Sequence, residues 1–308
     1  MAKGVELLAS YWTLAGDCYA QGPSEVSPIP LRDRVEAAAW AGYTGMGFVI
    51  QDLLVQQDAI GYPAMKRMLD DNGIKHVEVE FLGDWFKSGT AKTASDKVRK
   101  QLLVAAAELG ARNVKCAGEM FTDNIDIARM TETFADVCDD FAKIGIGAAI
   151  EILPMTSIRT LKQGAAIVGG AGRPNGGLCI DIWHMVRGGI DFAEIAALPL
   201  QYVKSVELDD ASAVVLDDMW VDTLFHRLYP GEGVFDCRGF IDAVRKTGFN
   251  GVYGVEIINE KYRLLPLREQ AKRSFDGTMA QFAPQETGNK NKSAKKSAGG
   301  KRGNKSQG

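Results

Sequence analysis

The chain has 308 residues, of which 46% are hydrophobic and 24% are charged, a balance typical of a globular protein with a large core. No apolar stretch approaches the roughly 20 residues that a membrane-spanning helix needs, and the first residues include polar and acidic side chains where a secretory signal needs an apolar run. The five cysteines are widely spread and form no Cys-x-x-Cys pair, which argues against a disulfide framework or a zinc site and predicts a cytoplasmic protein.

The net charge of −3 is unevenly distributed. Residues 285–308 contain seven Lys or Arg and one Glu, so this tail carries +6 and residues 1–284 carry −9. Because the tail has no apolar residue larger than alanine, we predict a disordered Lys-rich tail (285–308) after a single folded domain (1–284). Contact of the tail with nucleic acid or an anionic surface is one interpretation, but an acidic domain binds polyanions poorly, so a solubilising tail is favoured and a nucleic-acid partner is not expected. A homo-oligomer is compatible with the sequence.

Helical patterns alternate with short apolar strands along the folded domain. Several helical patterns end at a glycine that can adopt the left-handed conformation: Gly42, Gly73, Gly110, Gly145 and Gly248. Strands are predicted near 6–12, 45–50, 76–81, 113–117, 148–153, 177–182, 203–208 and 252–257, and a last helix at 266–282. Eight strand–helix units in about 280 residues predict an α/β fold, the (β/α)8 TIM barrel. A doubly wound open sheet is the alternative, weakened by the lack of Gly-x-Gly-x-x-Gly after the first strand.

Four of the predicted strands end in an acid: Glu151, Asp181, Glu207 and Glu256. A buried carboxylate is costly unless a cation or hydrogen-bond donors meet it. The carboxyl ends of barrel strands meet at one mouth, so we predict that these acids converge on one divalent ion. Because the ligands are all oxygens, Mn²⁺ or Mg²⁺ is predicted. The alternative is that acids pair with Arg or Lys, and Lys115, near a strand end, is predicted to form such a pair.

Aromatic side chains and one glycine-rich turn bear on the substrate. Trp12, Trp85 and Trp183 follow predicted strands and are candidates for the wall of a sugar-binding pocket, with packing at the barrel mouth as the alternative. The turn at 229–233 carries Glu232 where a phosphate would need bare amides or a base. The sequence therefore predicts an unphosphorylated substrate.

Several motifs resemble the sugar phosphate isomerase/epimerase family of xylose isomerase-like TIM barrels. The stretches are AIEILPM, LCIDIWHMVRGG, VELDDA, HRLYPGEGVFD and YGVEIINEKY, and the resemblance covers about residues 5–282. It implies one divalent ion held by Glu, Asp, His and Glu. By position, Glu151, Asp181 and Glu256 match the first, second and fourth ligands, and Glu207 stands where the family has His.

The resemblance also implies the residues that act on the substrate. His184 matches a histidine that contacts the substrate, and Arg227 matches a substrate-clamping arginine. The implied chemistry is proton transfer beside a carbonyl through an enediolate, with Glu151 or Glu256 taking the proton. Glu151, Glu256 and His184 are therefore the candidate catalytic residues.

Related reactions share this first step, so the functional hypotheses stay open. The main hypothesis is a divalent-metal-dependent isomerase or epimerase acting on an unphosphorylated keto sugar or polyol. The first alternative is a dehydratase or lyase acting on a cyclic keto-polyol, a dehydroshikimate-like acid or an oxidised glycoside, and the second is a non-catalytic barrel. Because Glu207 stands where the family has His, three interpretations of the metal site stay open. The site consists of carboxylates alone, the ion is held by fewer ligands, or the activity has been lost.

Overall fold

The computed structural model describes residues 4–284 and contains a closed barrel of parallel strands. The strands are β1 Leu7–Ala9, β2 Gly45–Val49, β3 His76–Leu82, β4 Asn113–Ala117, β5 Gly147–Glu151, β6 Gly176–Asp181, β7 Val203–Leu208 and β8 Tyr253–Val255. They follow chain order around the barrel, and β1 pairs with both β2 and β8. The predicted TIM barrel is confirmed, and the open-sheet alternative is wrong because an open sheet leaves its first and last strands unpaired on one side.

Helices surround the barrel, and several of them bury one face against the outer side of the strands. They are α1 Leu31–Ala41, α2 Ile50–Ile60, α3 Tyr62–Asp71, α4 Gly89–Leu109, α5 Ile127–Ala142, α6 Leu161–Ala171, α7 Ile182–Arg187, α8 Phe192–Ala196, α9 Met219–Phe225, α10 Cys237–Lys246 and α11 Leu267–Gln281. On α5 the buried side chains include Met130, Phe134 and Phe141, at the spacing of a helical stripe. The helix predicted at 266–282 is α11.

The glycines predicted to end helices all have positive φ in the structure. Gly42, which ends α1, has a φ of 117°. A Cβ at Gly42 would lie 2.6 Å from the Phe275 ring of α11. Glycine at this position therefore permits both the left-handed turn and the close packing of α11 on the end of α1.

The strands β1 and β8 are shorter than the sequence predicted. The backbone N–H of Ser10 still bonds to the Val255 carbonyl at 3.0 Å, but the chain then turns into a short 3₁₀ segment, Tyr11–Thr13. The Thr13 hydroxyl donates to the Val255 carbonyl and accepts from the Ile257 N–H at 2.9 Å. A side chain thus takes over the pairing at this end, and Glu256 lies one residue beyond β8.

Side chains of β4 alternate between an apolar outer layer and a polar interior. Val114 and Cys116 belong to the apolar core between strands and helices. Asn113 bonds instead to Glu78 at 3.2 Å, and Lys115 to Glu207 at 2.9 Å, across the inside of the barrel. This alternation directs a long cationic side chain toward the barrel mouth.

Two predictions concern the chain as a whole, namely the lack of a membrane-spanning helix and the disordered tail. Within residues 4–284, none of the helices is both long enough and apolar enough to cross a lipid bilayer. The disorder predicted for the tail at 285–308 lies outside the described residues.

Candidate active site

Four carboxylates from consecutive strands meet at the carboxyl end of the barrel. Each can place one oxygen within 4.8 Å of the others, and all four are at most 5% exposed: Glu151, Asp181, Glu207 and Glu256. We call these four residues the carboxylate cluster. The predicted convergence of the acids is present in the structure.

The start of α7 fixes the Asp-x-x-His pair. Asp181 ends β6 and caps α7, because its Oδ1 accepts the backbone N–H of Trp183 at 2.7 Å. One turn later, His184 places its Nε2 3.1 Å from Glu151 Oε1 and 3.7 Å from Asp181 Oδ2. The three-residue spacing therefore brings His184 onto the same face as Asp181 and next to the cluster.

Arg227 also contacts the cluster, beside His184, whose Nε2 lies 3.4 Å from Arg227 Nη2. Its Nη1 lies 2.8 Å from Asp181 Oδ2, 2.6 Å from Asp209 Oδ2 and 3.1 Å from Glu256 Oε2. The Thr223 hydroxyl of α9 accepts from Nη2 at 2.9 Å. Burial alone would lower the pKa of Arg227, but Asp181, Asp209 and Glu256 raise it well above its usual value. The guanidinium that the resemblance assigns to the substrate is thus held by carboxylates of the protein.

Lys115 forms the ion pair that the sequence predicted, and it contacts three acids. Its ammonium lies 2.7 Å from Glu80 Oε2, 2.9 Å from Glu207 Oε1 and 3.4 Å from Glu256 Oε1. Burial would lower the pKa of Lys115, but these carboxylates outweigh it and raise the pKa well above its usual value. The carboxylates therefore favour the protonated form of Lys115, whose ammonium lies beneath the cluster.

Both carboxylate oxygens of Glu207 contact polar side chains of the barrel interior. Ser10 Oγ donates to Oε1, Lys115 donates to both oxygens, and Cys179 Sγ lies 3.3 Å from Oε2. Burial, and then the charge of Glu256, raise the pKa of Glu207 well above its usual value. In this arrangement the acid is desolvated and shares one ammonium with its neighbours.

The acids at the mouth outnumber the cations that neutralise them. Six carboxyl groups are at most 5% exposed there, namely the cluster together with Glu80 and Asp209. Within residues 4–284, the Lys and Arg side chains in contact with them are Lys115 and Arg227. Three residues of this region also have a buried polar atom without a hydrogen-bond partner: Glu80 Oε1, His184 Nδ1 and Asp209 Oδ1. An excess of buried carboxyl groups over cations, with carboxylate oxygens left without a partner, fits a divalent cation, which would stabilise their ionised form.

Two further acids follow Glu207 in the chain, Asp209 and Asp210, and neither belongs to the carboxylate cluster. Asp209 pairs with Arg227. Burial, and then the charge of Asp181, raise the pKa of Asp209 well above its usual value. Asp210 accepts the backbone N–H groups of Gly231 at 3.0 Å and Gly233 at 2.9 Å. The amides of the glycine-rich turn are therefore occupied by a carboxylate of the protein and do not face a ligand.

A cavity opens above the cluster, with a charged floor and mostly apolar walls. The floor residues that line it are Glu80, Glu151, His184, Thr223, Arg227 and Glu256. The apolar walls are formed by Trp12, Ala20, Val49, Phe81, Met120, Leu153, Trp220, Leu224 and Ile258. Polar side chains at the rim are Gln21, Glu25 and Gln51. Arg227 is the one Arg or Lys among the described residues that line this cavity.

Of the three tryptophans predicted to wall the pocket, Trp12 lines the cavity and the other two lie behind it. Trp85 donates its Nε1–H to the Ala117 carbonyl at 2.8 Å and is 3% exposed. Trp183 is fully buried, with its ring 5.3 Å from the Arg227 guanidinium carbon. Both rings pack at the barrel mouth, which is the alternative that the sequence left open.

Sequence reasoning missed Glu80 and gave Asp209 no role of its own. Glu80 lies near the end of β3, in the sequence HVEVEF, so it follows the same strand-end pattern as the cluster. Burial raises the pKa of Glu80 to about 7, although Lys115 opposes the shift. A consistent search for acids at strand ends identifies Glu80 from the sequence alone.

Comparison with known proteins agrees with this fold. Residues 35–280 match the family model described as xylose isomerase-like TIM barrel. The chain belongs to this family. The xylose isomerase-like barrel identified from its motifs is therefore confirmed as the family.

Relatives within and near the xylose isomerase-like family carry different activities in their names. A 3-dehydroshikimate dehydratase of Pseudomonas aeruginosa is 26% identical over 245 residues, which are 78% of this chain and 38% of that protein. An inosose isomerase of Bacillus velezensis is 26% identical over 151 residues, which are 48% of this chain and 53% of that protein. The chain thus spans less than two thirds of the length of either relative.

A solved structure of similar shape is that of the IOLI protein, which was crystallised with a zinc atom. The two chains superimpose with a TM-score of 0.79 at 17% identity, over 90% of this chain and 98% of that one. At this identity the likeness is one of fold.

Proposed function

We propose that the protein is a divalent-metal-dependent isomerase or epimerase that acts on an unphosphorylated keto sugar or polyol. The observation that carries this proposal is the carboxylate cluster, whose oxygens approach within 4.8 Å of one another and of which Glu151 and Glu256 line an open cavity. Such proximity is costly without a cation, and oxygen donors favour Mn²⁺ or Mg²⁺. A bound divalent cation would polarise the substrate carbonyl and stabilise the negative charge that develops on its oxygen.

Glu151 and Glu256 are the proposed proton carriers, because both line the cavity. Glu151 is held by His184 at 3.1 Å, and Glu256 is held between Lys115 and Arg227. One carboxylate would remove the proton beside the carbonyl, and the other would return it. Return to the opposite face of the same carbon gives epimerisation, and return to the neighbouring carbon gives isomerisation.

The substrate is proposed to be neutral. A phosphate would need free backbone amides or cations, and the amides of the turn at 229–233 donate to Asp210. A substrate carboxylate would need a cation of its own, and Arg227 already contacts three carboxylates. The apolar walls further favour a keto-polyol with an apolar face or substituent over one with hydroxyls on every side.

The name of the Pseudomonas relative supports a second candidate, a dehydratase or lyase on the same scaffold. A dehydratase also removes the proton beside the carbonyl, as the isomerase does. The β-hydroxyl group then leaves as water, and a carbon–carbon double bond forms. Product analysis separates the two candidates, because dehydration creates a conjugated ultraviolet chromophore and epimerisation does not.

The test is exchange of substrate hydrogen in D₂O, followed by NMR over a panel of neutral ketoses and inososes. With Mn²⁺ present we expect deuterium at the carbon beside the carbonyl, and with excess chelator we expect none. Glu151→Gln and Glu256→Gln should each lower the exchange rate by about 100-fold or more, because each removes a proton carrier.

The matched control is Glu108→Gln, which makes the same change on the exposed face of α4 and should leave exchange unchanged. Exchange that continues at full rate in chelator, or in the Glu151→Gln and Glu256→Gln proteins, contradicts the proposal.

A further inference from the structure

Lys115 occupies an unusual place for a lysine, the inside of a barrel directly beneath the candidate metal ligands. It is 2% exposed and does not line the cavity, so it has no direct access to a substrate. Its ammonium contacts both oxygens of Glu207, at 2.9 Å and 3.1 Å. The ammonium of Lys115 therefore interacts electrostatically with the cluster from the inner side of the barrel.

The barrel interior is shaped to accept the Glu207 side chain at this position. Ser10 and Cys179 contact its oxygens, and a Cβ at Gly254 of the neighbouring β8 would lie 2.7 Å from its Cγ. Hydrogen-bonding side chains and the absence of a side chain at Gly254 therefore both accommodate Glu207.

We propose that Lys115 and Glu207 act together as one electrically neutral donor in the metal site. The resemblance places a neutral histidine at the position of Glu207, and a carboxylate ligand there adds one negative charge. The ammonium of Lys115, in contact with that carboxylate, adds one positive charge. Lys115 also contacts Glu80 and Glu256, but it contacts Glu207 through both carboxylate oxygens, and this pair restores the charge that a neutral ligand would give. This inference rests on the proposed function, because it assumes that the cluster binds a divalent ion.

Direct titration of the metal tests the inference without any substrate. The full chain, stripped with chelator, is titrated with MnCl₂ by calorimetry as wild type, Lys115→Met, Glu207→Gln and the double variant. Lys115→Met should tighten Mn²⁺ binding by about tenfold or more, because it removes a positive charge close to the ion. Glu207→Gln should weaken it by about tenfold or more, and the double variant should return to within about threefold of wild type.

Opposite signs in the single variants and recovery in the double variant distinguish this pair from a lysine that only supports the fold. A supporting lysine would lower the melting temperature of Lys115→Met without tightening Mn²⁺ binding, and that result overturns the inference. Lys115→Gln provides a second neutral variant that can still donate to Glu207, should the methionine protein fail to fold.

The control is Lys204→Met, which removes a lysine of β7 whose ammonium bonds to the Pro174 carbonyl at 2.8 Å, outside the cluster. Its Mn²⁺ affinity should match that of wild type. If wild type binds Mn²⁺ but Lys115→Met does not bind more tightly, this inference alone fails. If wild type binds no Mn²⁺, the proposed function fails as well.

Discussion

At the scale of single residues, Gly254 is the position where the smallest change should disturb the cluster. A Cβ there would lie 2.7 Å from Glu207 Cγ and 3.2 Å from the Val206 carbonyl oxygen. We expect Gly254→Ala to displace Glu207 and to lower the free energy of unfolding by about 1–3 kcal/mol through overpacking. Because Glu207 moves, Mn²⁺ binding should weaken by about tenfold or more, as measured by calorimetry.

Gly83→Ala is the matched control for this change. Gly83 lies just after β3, and a Cβ there would have no neighbour within 4 Å. Urea unfolding and Mn²⁺ titration of Gly83→Ala should therefore match wild type. If Gly254→Ala also matches wild type, Glu207 does not depend on the space that glycine leaves.

The acids of the cluster could be predicted from the sequence, whereas the cations that meet them could be predicted only in part. An acid at the end of an apolar strand is visible in one dimension, and barrel closure then brings such ends together. The reach of a cation depends on its rotamer and on which strands become neighbours. Lys115 on β4 reaches Glu207 on β7, 92 residues away in the chain, and no local pattern encodes that distance.

At the scale of elements, the glycine-rich turn depends on one buried acid. Asp210, 1% exposed, accepts backbone N–H groups from Ala211, Gly231, Gly233 and Phe235 at 2.8–3.0 Å. Asp210→Ala leaves these donors without their acceptor, so we expect the free energy of unfolding to fall by about 3 kcal/mol or more. Urea unfolding monitored by circular dichroism measures the loss.

The comparison variant is Asp242→Ala, which removes an exposed acid from α10. It should change the free energy of unfolding by less than about 0.5 kcal/mol. An equally small change in Asp210→Ala would mean that the turn is held by contacts other than its hydrogen bonds to Asp210.

Element positions could be read from the sequence more reliably than element ends. Apolar runs and glycine ends located the strands, but β1 and β8 stop early because Thr13 takes over the hydrogen bonds of Val255 and Ile257. The indole rings of Trp85 and Trp183 face packing partners behind the cavity, because each side chain's direction depends on the turn after its strand. A residue's distance from a strand end does not determine which way its side chain points.

At the scale of the whole molecule, the strands and the candidate site residues all lie within residues 4–284. We predict that removing residues 285–308 changes the free energy of unfolding by less than about 1 kcal/mol, because this segment has no apolar residue larger than alanine to contribute to a core. Mn²⁺ affinity should also stay within about threefold, because the four acids of the cluster and the two cations that contact them belong to residues 4–284.

Removing α11 as well should destabilise the protein strongly. The two truncations together therefore test whether the folded domain ends at residue 284. This helix buries Ala271, Ser274 and Thr278, and the Tyr43 hydroxyl donates to Ser274 Oγ at 2.8 Å. A chain that ends at Leu265 loses the helix that packs on α1, next to the β1–β8 closure of the barrel. We expect no cooperative unfolding transition from that chain. If instead the chain ending at Pro284 loses several kcal/mol, residues beyond 284 contribute to the folded domain.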